Sequence, residues 1–153
     1  MDKVDLRILD LLQRDATLSV AEIAERVGLS TTPCWRRIQN LEKAGIIRAR
    51  VALLDPAKLN VGVTVFVRLR TSRHDYEWLD SFAKAVAEMD EVVEFYRMSG
   101  DIDYLLRIVV PDIASYDAVY KRLIKAAAFT DVSSSFALEE IKYTTALPLR
   151  YAR

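Results

Sequence analysis

The densest group of side chains able to bind another molecule lies in "STTPCWRRIQNLEK", from Ser30 to Lys43. On a helix, at ~100° per residue, Cys34, Ile38 and Leu41 fall on one side and would pack inward. The remaining positions carry hydroxyl, guanidinium, amide and ammonium groups beside an indole, the groups that pair with base edges and phosphates of DNA. The candidate DNA contacts are Ser30, Thr31, Thr32, Trp35, Arg36, Arg37, Gln39 and Lys43.

A basic helix face is often only a solvated surface, so the preceding residues decide between the two interpretations. Ser19 and Glu22 in "SVAE" form a capping box that opens a short helix. Gly28 follows that helix, and glycine readily takes the left-handed conformation at a helix end. Ser30 can cap the next helix, and Pro33 lies in its first turn, where no N–H is needed. A short helix, a tight turn and a second helix predict a helix-turn-helix, whose second helix enters the major groove.

Composition and charge limit the other classes of protein. The chain of 153 residues is 52% hydrophobic and 29% charged with zero net charge, which is typical of a globular protein. Residues 30–50 nevertheless hold five basic side chains against one acidic, a modest local excess of positive charge. We find no apolar run long enough for a membrane span and no secretory signal, so we expect a cytoplasmic protein without a membrane partner.

Three chemical roles can be considered for Cys34, the single cysteine, and the sequence supports them to very different degrees. A nucleophile needs a base, but the one histidine, His74, lies far along the chain in a polar turn. A metal site needs more ligands than one Cys and one His, so we predict neither metal nor cofactor and no enzyme. The default is a small buried hydrophobic residue, which also fits a reducing compartment. Trp35 could likewise pack against the first helix or a partner chain.

The helices and strands that position these residues follow from periodicity. Val4, Ile8 and Leu12 recur at helical spacing, which predicts a first helix before the helix-turn-helix. We predict extended chain from Ile46 to Leu54 and a linker from Asp55 to Gly62, because β-branched residues precede Asp55-Pro56. The first domain therefore spans residues 1–60.

Residues 61–153 alternate between strand and helix patterns. "VTVFVRLRT" is a period-two strand, "YEWLDSFAKAVAEM" a helix, and "EVVEFYRMSGDIDYLLRIVV" two strands turning at Ser99-Gly100-Asp101. "DIASYDAVYKRLIKAA" gives a second helix and "DVSSSFALEEIKYTT" a last strand. The order β-α-β-β-α-β predicts a ferredoxin-like domain, so the fold class of the whole chain is α+β.

A second candidate site lies at this predicted hairpin, in "SGDIDYLL". Asp101 and Asp103 could hold an ammonium group while turn amides bind a carboxylate. The same residues also suit an ordinary turn, because Asp and Gly favour turns, and both interpretations stay open. Ser133 to Ser135 place hydroxyls on the last strand, where they could bind a ligand or simply face outward.

Several segments together resemble one family. "S.AEIAERVGLS", "RRI..LE..GII", "LDP.KL", "GD.DYLLR" and "YTTALPL" are similar to the leucine-responsive regulatory protein/AsnC family of prokaryotic transcription regulators. The resemblance implies a winged helix-turn-helix, a hinge strand and a C-terminal domain for amino-acid sensing and assembly. It also implies homodimers that associate into tetramers or octamers, with an amino acid bound between dimers. The implied effector contacts are Met98, Gly100, Asp101, Asp103, Tyr104, Ser133, Ser134 and Ser135.

"TTPCWRR" and "SSSFALEEIKYTTALPL" resemble a cysteine-responsive subgroup, so cysteine is the effector that this likeness suggests. Residue spacing alone does not separate cysteine from branched-chain or aromatic amino acids. Our leading hypothesis is a sequence-specific DNA-binding regulator of amino-acid metabolism that responds to a small amino acid. The alternative is an architectural DNA-binding oligomer with low specificity and no effector, and an enzyme ranks third because no catalytic group of residues is present.

Overall fold

The computed structural model describes residues 1–152 and divides into two compact units. The first unit combines Met1–Leu53 with the segment that begins at Lys142, and the second is Leu54–Ile141. Within residues 1–152, no helix has the length and apolar character that crossing a membrane requires.

Three helices form the first unit, as predicted: α1 (Lys3–Arg14), α2 (Val20–Val27) and α3 (Thr31–Lys43). Helices of this length are marginal alone in water, so their apolar stripes must stabilise one another. Each fully buried aliphatic side chain contributes about 1.5–3 kcal/mol. The shared core consists of Ile8, Leu9, Leu12, Ile23, Ala24, Val27, Cys34, Ile38 and Leu41.

Local hydrogen bonds fix the turn between α2 and α3. The Ser19 hydroxyl accepts the N–H of Glu22 at 3.2 Å, and the Glu22 carboxylate accepts the N–H of Ser19 at 2.7 Å. This confirms the predicted capping box. Gly28 ends α2 with φ +75°, a left-handed conformation that costs a residue with a β-carbon more than it costs glycine. The capping box and the glycine helix end predicted for the helix-turn-helix are therefore present in the structure.

Residues 44–62 contain no β-strand. Among the described residues, no strand lies beside the segment from Ile46 to Leu54. Because a β-ladder needs a neighbouring strand, this segment forms none. Val51, Leu53 and Leu54 are exposed. Asn60, at φ 57°, turns the chain toward the second unit's first strand.

The second unit has the predicted β-α-β-β-α-β order. Its elements are β1 (Val63–Arg70), α4 (Tyr76–Ala87), β2 (Val92–Arg97), β3 (Tyr104–Val110), α5 (Ile113–Ala126) and β4 (Asp131–Phe136). The strands form one sheet in the order β2-β3-β1-β4, and every neighbouring pair is antiparallel. This confirms the α+β class and the ferredoxin-like topology.

Strand alternation separates the two faces of this sheet. Val65, Val67 and Leu69 of β1 are fully buried, whereas Phe66 and Arg68 between them are exposed. The buried face packs against α4 and α5 through side chains that include Phe82, Val86, Val119 and Leu123. The opposite face leaves large side chains exposed.

The last strand is shorter than predicted and leads into a tail. β4 ends at Phe136, opposite Val65, and Ala137 just beyond it still donates its amide to the Thr64 carbonyl at 2.9 Å. The residues from Lys142 onward group with the first unit, where Leu149–Tyr151 form a 3-10 turn. The sequence-based division placed the whole of 61–153 in one domain, so the structure differs from it at the tail.

Candidate functional site

The exposed side of α3 is the first candidate surface. Cys34, Ile38 and Leu41 are buried, as their spacing predicts, and Trp35 is 51% exposed. Trp35 therefore lies on the surface of the chain and not in the core of the three helices. Thr31, Thr32 and Arg36 are exposed beside it. The arrangement leaves a helix with one anchored side and one free polar side.

The N-terminus of α3 carries uncompensated positive potential. Ser30 occupies the N-cap position, and its carbonyl accepts the Cys34 N–H at 3.3 Å, but its hydroxyl makes no capping bond. A cap hydroxyl usually accepts from the N2 or N3 amide, and the N3 residue here is Pro33, which has no N–H. The first turn of α3 also contains no acidic residue. The helix dipole and free amides at this end can therefore attract an anion such as a phosphate.

Arg37 is engaged inside the unit, although the sequence analysis grouped it with the DNA contacts. Its Nη1 lies 2.7 Å from a carboxylate oxygen of Asp2 and 2.7 Å from one of Asp5. The Asp5 amide, followed by the Arg37 guanidinium, lowers the pKa of Asp2 below its ordinary value. Arg37 therefore joins α3 to the start of α1. Sequence reasoning missed Asp2 and Asp5, because two acids in an N-terminal turn are also ordinary helix caps.

A second internal chain of contacts restrains the end of α3. Gln39 donates to Glu42 at 2.9 Å, and Glu42 also accepts from Arg50 at 2.8 Å. Within residues 1–152, no ion pair or side-chain hydrogen bond involves Arg36, Lys43 or Arg48. These three cations carry the uncompensated positive charge near the helix.

Cys34 has the environment of a buried hydrophobic residue. Its side chain is fully buried in the three-helix core, and this burial raises the pKa of its thiol. A raised pKa disfavours the thiolate that nucleophilic chemistry needs. The prediction that Cys34 is a core residue is confirmed.

The second candidate site is the loop between β2 and β3. The Met98 amide donates to the Asp103 carbonyl at 2.8 Å, and Gly100 adopts φ +102°, so the predicted hairpin turn is present. Met98 and Asp101 are exposed on the loop. Tyr104, expected to contact an effector, is only 3% exposed, because strand alternation turns it inward onto Trp78. Burial also raises the pKa of Tyr104.

The Asp103 side chain ties three loops together. Its Oδ2 accepts the Thr71 amide at 2.8 Å, and the buried Thr71 hydroxyl contacts the Ala128 carbonyl at 3.4 Å. The other carboxylate oxygen, Oδ1, lies 3.9 Å from Nδ1 of the exposed His74. The loops after β1, after β2 and after α5 therefore meet at Asp103. Sequence reasoning missed Thr71 and His74, since a single Thr or His in a turn carries no recognisable spacing.

The three serines of β4 do not share one surface. Ser133 accepts a hydrogen bond from Nη2 of Arg68 at 3.0 Å on the outer face of the sheet. Ser134 lies opposite Val67 on the inner face, where its hydroxyl shares a short hydrogen bond with the hydroxyl of the buried Tyr116. Ser135 pairs with Phe66 and is exposed. Ser133 and Ser135 are therefore available on one face, and Ser134 is engaged on the other.

Both parts of the chain match known protein domains. Residues 64–147 match the Lrp/AsnC ligand binding domain, and residues 1–48 match a winged helix-turn-helix DNA-binding domain. The DNA-binding transcriptional activator DecR of Escherichia coli strain K12 is 51% identical over 150 residues, which are 97% of this chain and 99% of DecR. The relatives are transcriptional regulators and not enzymes.

Two solved structures share the complete fold. An AsnC family transcriptional regulator from Agrobacterium tumefaciens is 64% identical with a TM-score of 0.97, covering 100% of both chains. A transcriptional regulator from Neisseria meningitidis, solved as a complex with L-Met, is 39% identical with a TM-score of 0.92, covering 97% of both chains. These matches confirm the resemblance found in the sequence. The chain belongs to the Lrp/AsnC family of DNA-binding transcriptional regulators.

Proposed function

We propose that this regulator reads a specific DNA sequence with α3 and responds to a small amino acid bound between its dimers. Its targets on this proposal are genes of amino-acid metabolism. The observation that carries the DNA half is the division of α3 into a buried side and a free side that presents Trp35 and Arg36. A helix anchored in this way can enter the major groove without disturbing its own core.

The proposed contacts fall into two groups. Ser30, Thr31 and Thr32 at the open N-terminus of α3 position the helix on phosphates, and Lys43 adds a phosphate contact at its other end. Arg36 reads a base edge directly, because its guanidinium has no internal partner among residues 1–152. Gln39 reads a base only after it releases Glu42. Arg37 instead holds α3 to the start of α1 through Asp2 and Asp5.

The effector half is supported by the loop cluster at Asp103. An amino acid carries an ammonium and a carboxylate, and the loop offers the Asp101 carboxylate together with amides around Gly100. The Asp103 oxygen that faces His74 adds a second acceptor. Ser133 and Ser135 present hydroxyls on the outer sheet face. The L-Met complex of the Neisseria meningitidis relative makes L-methionine a reasonable test ligand, and L-cysteine is the second.

Self-association is supported by the outer face of the sheet. Phe66 and Tyr96 are 38% and 50% exposed there. Large apolar side chains grouped on one surface are typical of an interface between proteins. A second copy covering this face would form a dimer and present two α3 helices to half-sites about one DNA turn, ~34–36 Å, apart. Dimers would then assemble into tetramers or octamers around the effector.

An amino acid between dimers changes DNA binding only if it binds the two assembly states with different affinity. The proposed response is therefore a shift in assembly geometry that changes the spacing of the recognition helices. A ligand with equal affinity for both assemblies would bind without regulating.

The DNA half is tested by selecting duplexes from a random pool with the full-length protein. We expect enrichment of a pseudo-palindrome, and loss of discrimination at one base pair in the Arg36→Ala variant. The matched Lys43→Ala variant should weaken all sequences equally and reduce the salt dependence. An architectural protein would instead enrich no sequence, and Arg36→Ala would then behave like Lys43→Ala.

The effector half is tested by thermal unfolding of the full-length protein with each of the twenty amino acids. A ligand that binds only the folded state raises Tm by mass action. We expect a rise with at least one amino acid, smaller in an Asp101→Ala variant, and a matching change in DNA affinity or oligomer size. Flat results across all twenty, with L-methionine and L-cysteine included, would contradict the sensing proposal.

A further inference from the structure

The C-terminal tail contacts the DNA-binding unit at the end of α1. The Gln13 side chain accepts the Leu147 amide at 2.8 Å and donates Nε2 to the Leu147 carbonyl at 3.2 Å. The Gln13 side-chain amide thus hydrogen-bonds both the N–H and the C=O of Leu147, as a neighbouring β-strand would. This pairing joins positions 134 residues apart in the chain.

An apolar anchor follows this contact directly. Leu149 packs against the core of the three helices and begins the 3-10 turn Leu149–Tyr151. Leu149 and Arg150 also line a cleft of about 370 Å³ together with Leu6 and Leu11 of α1. The tail is therefore seated by specific contacts beside an open cleft.

α1 connects this contact to the recognition helix. Gln13 lies near the last turn of α1, while Asp2 and Asp5 at its start hold Arg37 of α3. A helix of 12 residues is about 18 Å long, so α1 is held at one end by the tail and at the other by α3. A rigid helix transmits a displacement from one end to the other.

The tail also continues the strand that carries the candidate effector serines. Ten residues separate Phe136, the end of β4, from Leu147. Fully extended, they span at most about 36 Å. The chain thus joins the sensing unit to the helix-turn-helix a second time, in addition to residues 44–62.

We propose that residues 142–152 act as a strap that holds α1, and through it α3, in the arrangement that binds DNA. This goes beyond the proposed readout by α3 and rests on it for the DNA measurement only. The strap is seated by the Gln13–Leu147 pairing and by Leu149. DNA affinity therefore depends on residues far from the DNA-binding surface.

The test compares full-length wild type with Gln13→Ala, Leu149→Ala and a chain ending at Thr145. Alanine favours helix more than glutamine does, so Gln13→Ala removes the pairing without weakening α1 itself. Thr17→Ala is the matched control, because Thr17 bonds only locally to Asp15 beside the same helix end. The readouts are amide hydrogen exchange at Leu147 and along α1, and affinity for the duplex that wild type enriches from the random pool.

We expect a protected Leu147 amide in wild type and in Thr17→Ala, with faster exchange in Gln13→Ala. We expect DNA affinity to fall about fivefold or more in Gln13→Ala, Leu149→Ala and the truncated chain, the usual lower range for coupled sites. An unprotected Leu147 amide in wild type, or DNA affinity that is unchanged or tighter in the truncated chain, would overturn the strap. If wild type enriched no duplex, the proposed DNA readout by α3 would be contradicted instead. The hydrogen-exchange measurements would then still test the strap independently.

Discussion

The backbone N–H of Thr71 donates to the Asp103 carboxylate at 2.8 Å, joining the end of β1 to the loop before β3. Thr71 is only 5% exposed, so its amide has no water to replace a missing acceptor. Asp103 therefore holds the loop cluster together, and its second oxygen faces the exposed His74.

We expect two substitutions to separate the structural role of Asp103 from its proposed role in amino-acid binding. Asp103→Ala leaves the buried Thr71 amide unpaired and should lower the free energy of unfolding by about 1–3 kcal/mol. Asp103→Asn keeps a carbonyl acceptor, so it should lose less stability while its lost charge still weakens amino-acid binding. Urea unfolding and L-methionine titration of both variants check this. Equal stability losses in the two variants would contradict the assignment of the loss to the unpaired Thr71 amide.

Periodicity and caps made much of the fold predictable. Ser19, Glu22 and Gly28 define local hydrogen bonds and a local backbone conformation, so they specify the turn before α3 without reference to the rest of the chain. The alternating Val65, Val67 and Leu69 likewise fix which face of β1 is buried. Local patterns are reliable where the decisive interactions lie within a few residues.

Long-range pairing explains what could not be predicted. Arg37 has the residue type of a DNA contact, but its partners Asp2 and Asp5 lie more than 30 positions away, at 35 and 32 residues. Ser134 differs from Ser133 only in strand register, which depends on pairing with β1. No local sequence pattern indicates that Leu147 pairs with Gln13. These assignments require the folded chain, because residue type and spacing do not identify a distant partner.

The two adjacent arginines of α3 should respond differently to alanine. Arg36→Ala is expected to cost about 1–3 kcal/mol of specific DNA binding, the usual range for a base contact, with Tm unchanged. Arg37→Ala should lower Tm, because it leaves Asp2 and Asp5 without their shared cation. Fluorescence anisotropy on the enriched duplex and thermal unfolding measure the two effects. If Arg37→Ala weakened DNA binding with no change in Tm, Arg37 would be a direct contact after all.

The ion pair at Asp2 predicts a pH dependence of stability. The Asp5 amide and the Arg37 guanidinium hold the pKa of Asp2 below its ordinary value in the folded chain. A carboxyl with a lowered pKa stabilises the folded state at pH values above its unfolded pKa, and this stabilisation is lost as the pH falls through the folded pKa. Asp2→Asn should therefore lower Tm near neutral pH, and its difference from wild type should close below about pH 4. Thermal unfolding of both proteins across this range checks the sign, and a constant difference would exclude the carboxylate charge as its cause.

The hydroxyl pair of Tyr116 and Ser134 gives a test of the inner face of β4. Tyr116 is 7% exposed, and its burial raises its pKa, so a lost partner cannot be replaced freely by water. Ser134→Ala should cost about 1–3 kcal/mol of stability, whereas Ser133→Ala, on the exposed face, should cost less.

The double variant separates the pairing from other effects of the serine. Removing both hydroxyls, in Tyr116→Phe with Ser134→Ala, leaves no buried group unpaired and should be less destabilising than the sum of the single changes. Urea unfolding of the full cycle measures this coupling. Additive losses would show that the pair contributes no coupling, and Ser134 would then be free to turn toward a ligand. Strong coupling with an unchanged response to L-methionine would instead assign Ser134 to the structure of the sensing unit and leave Ser133 and Ser135 as its ligand contacts.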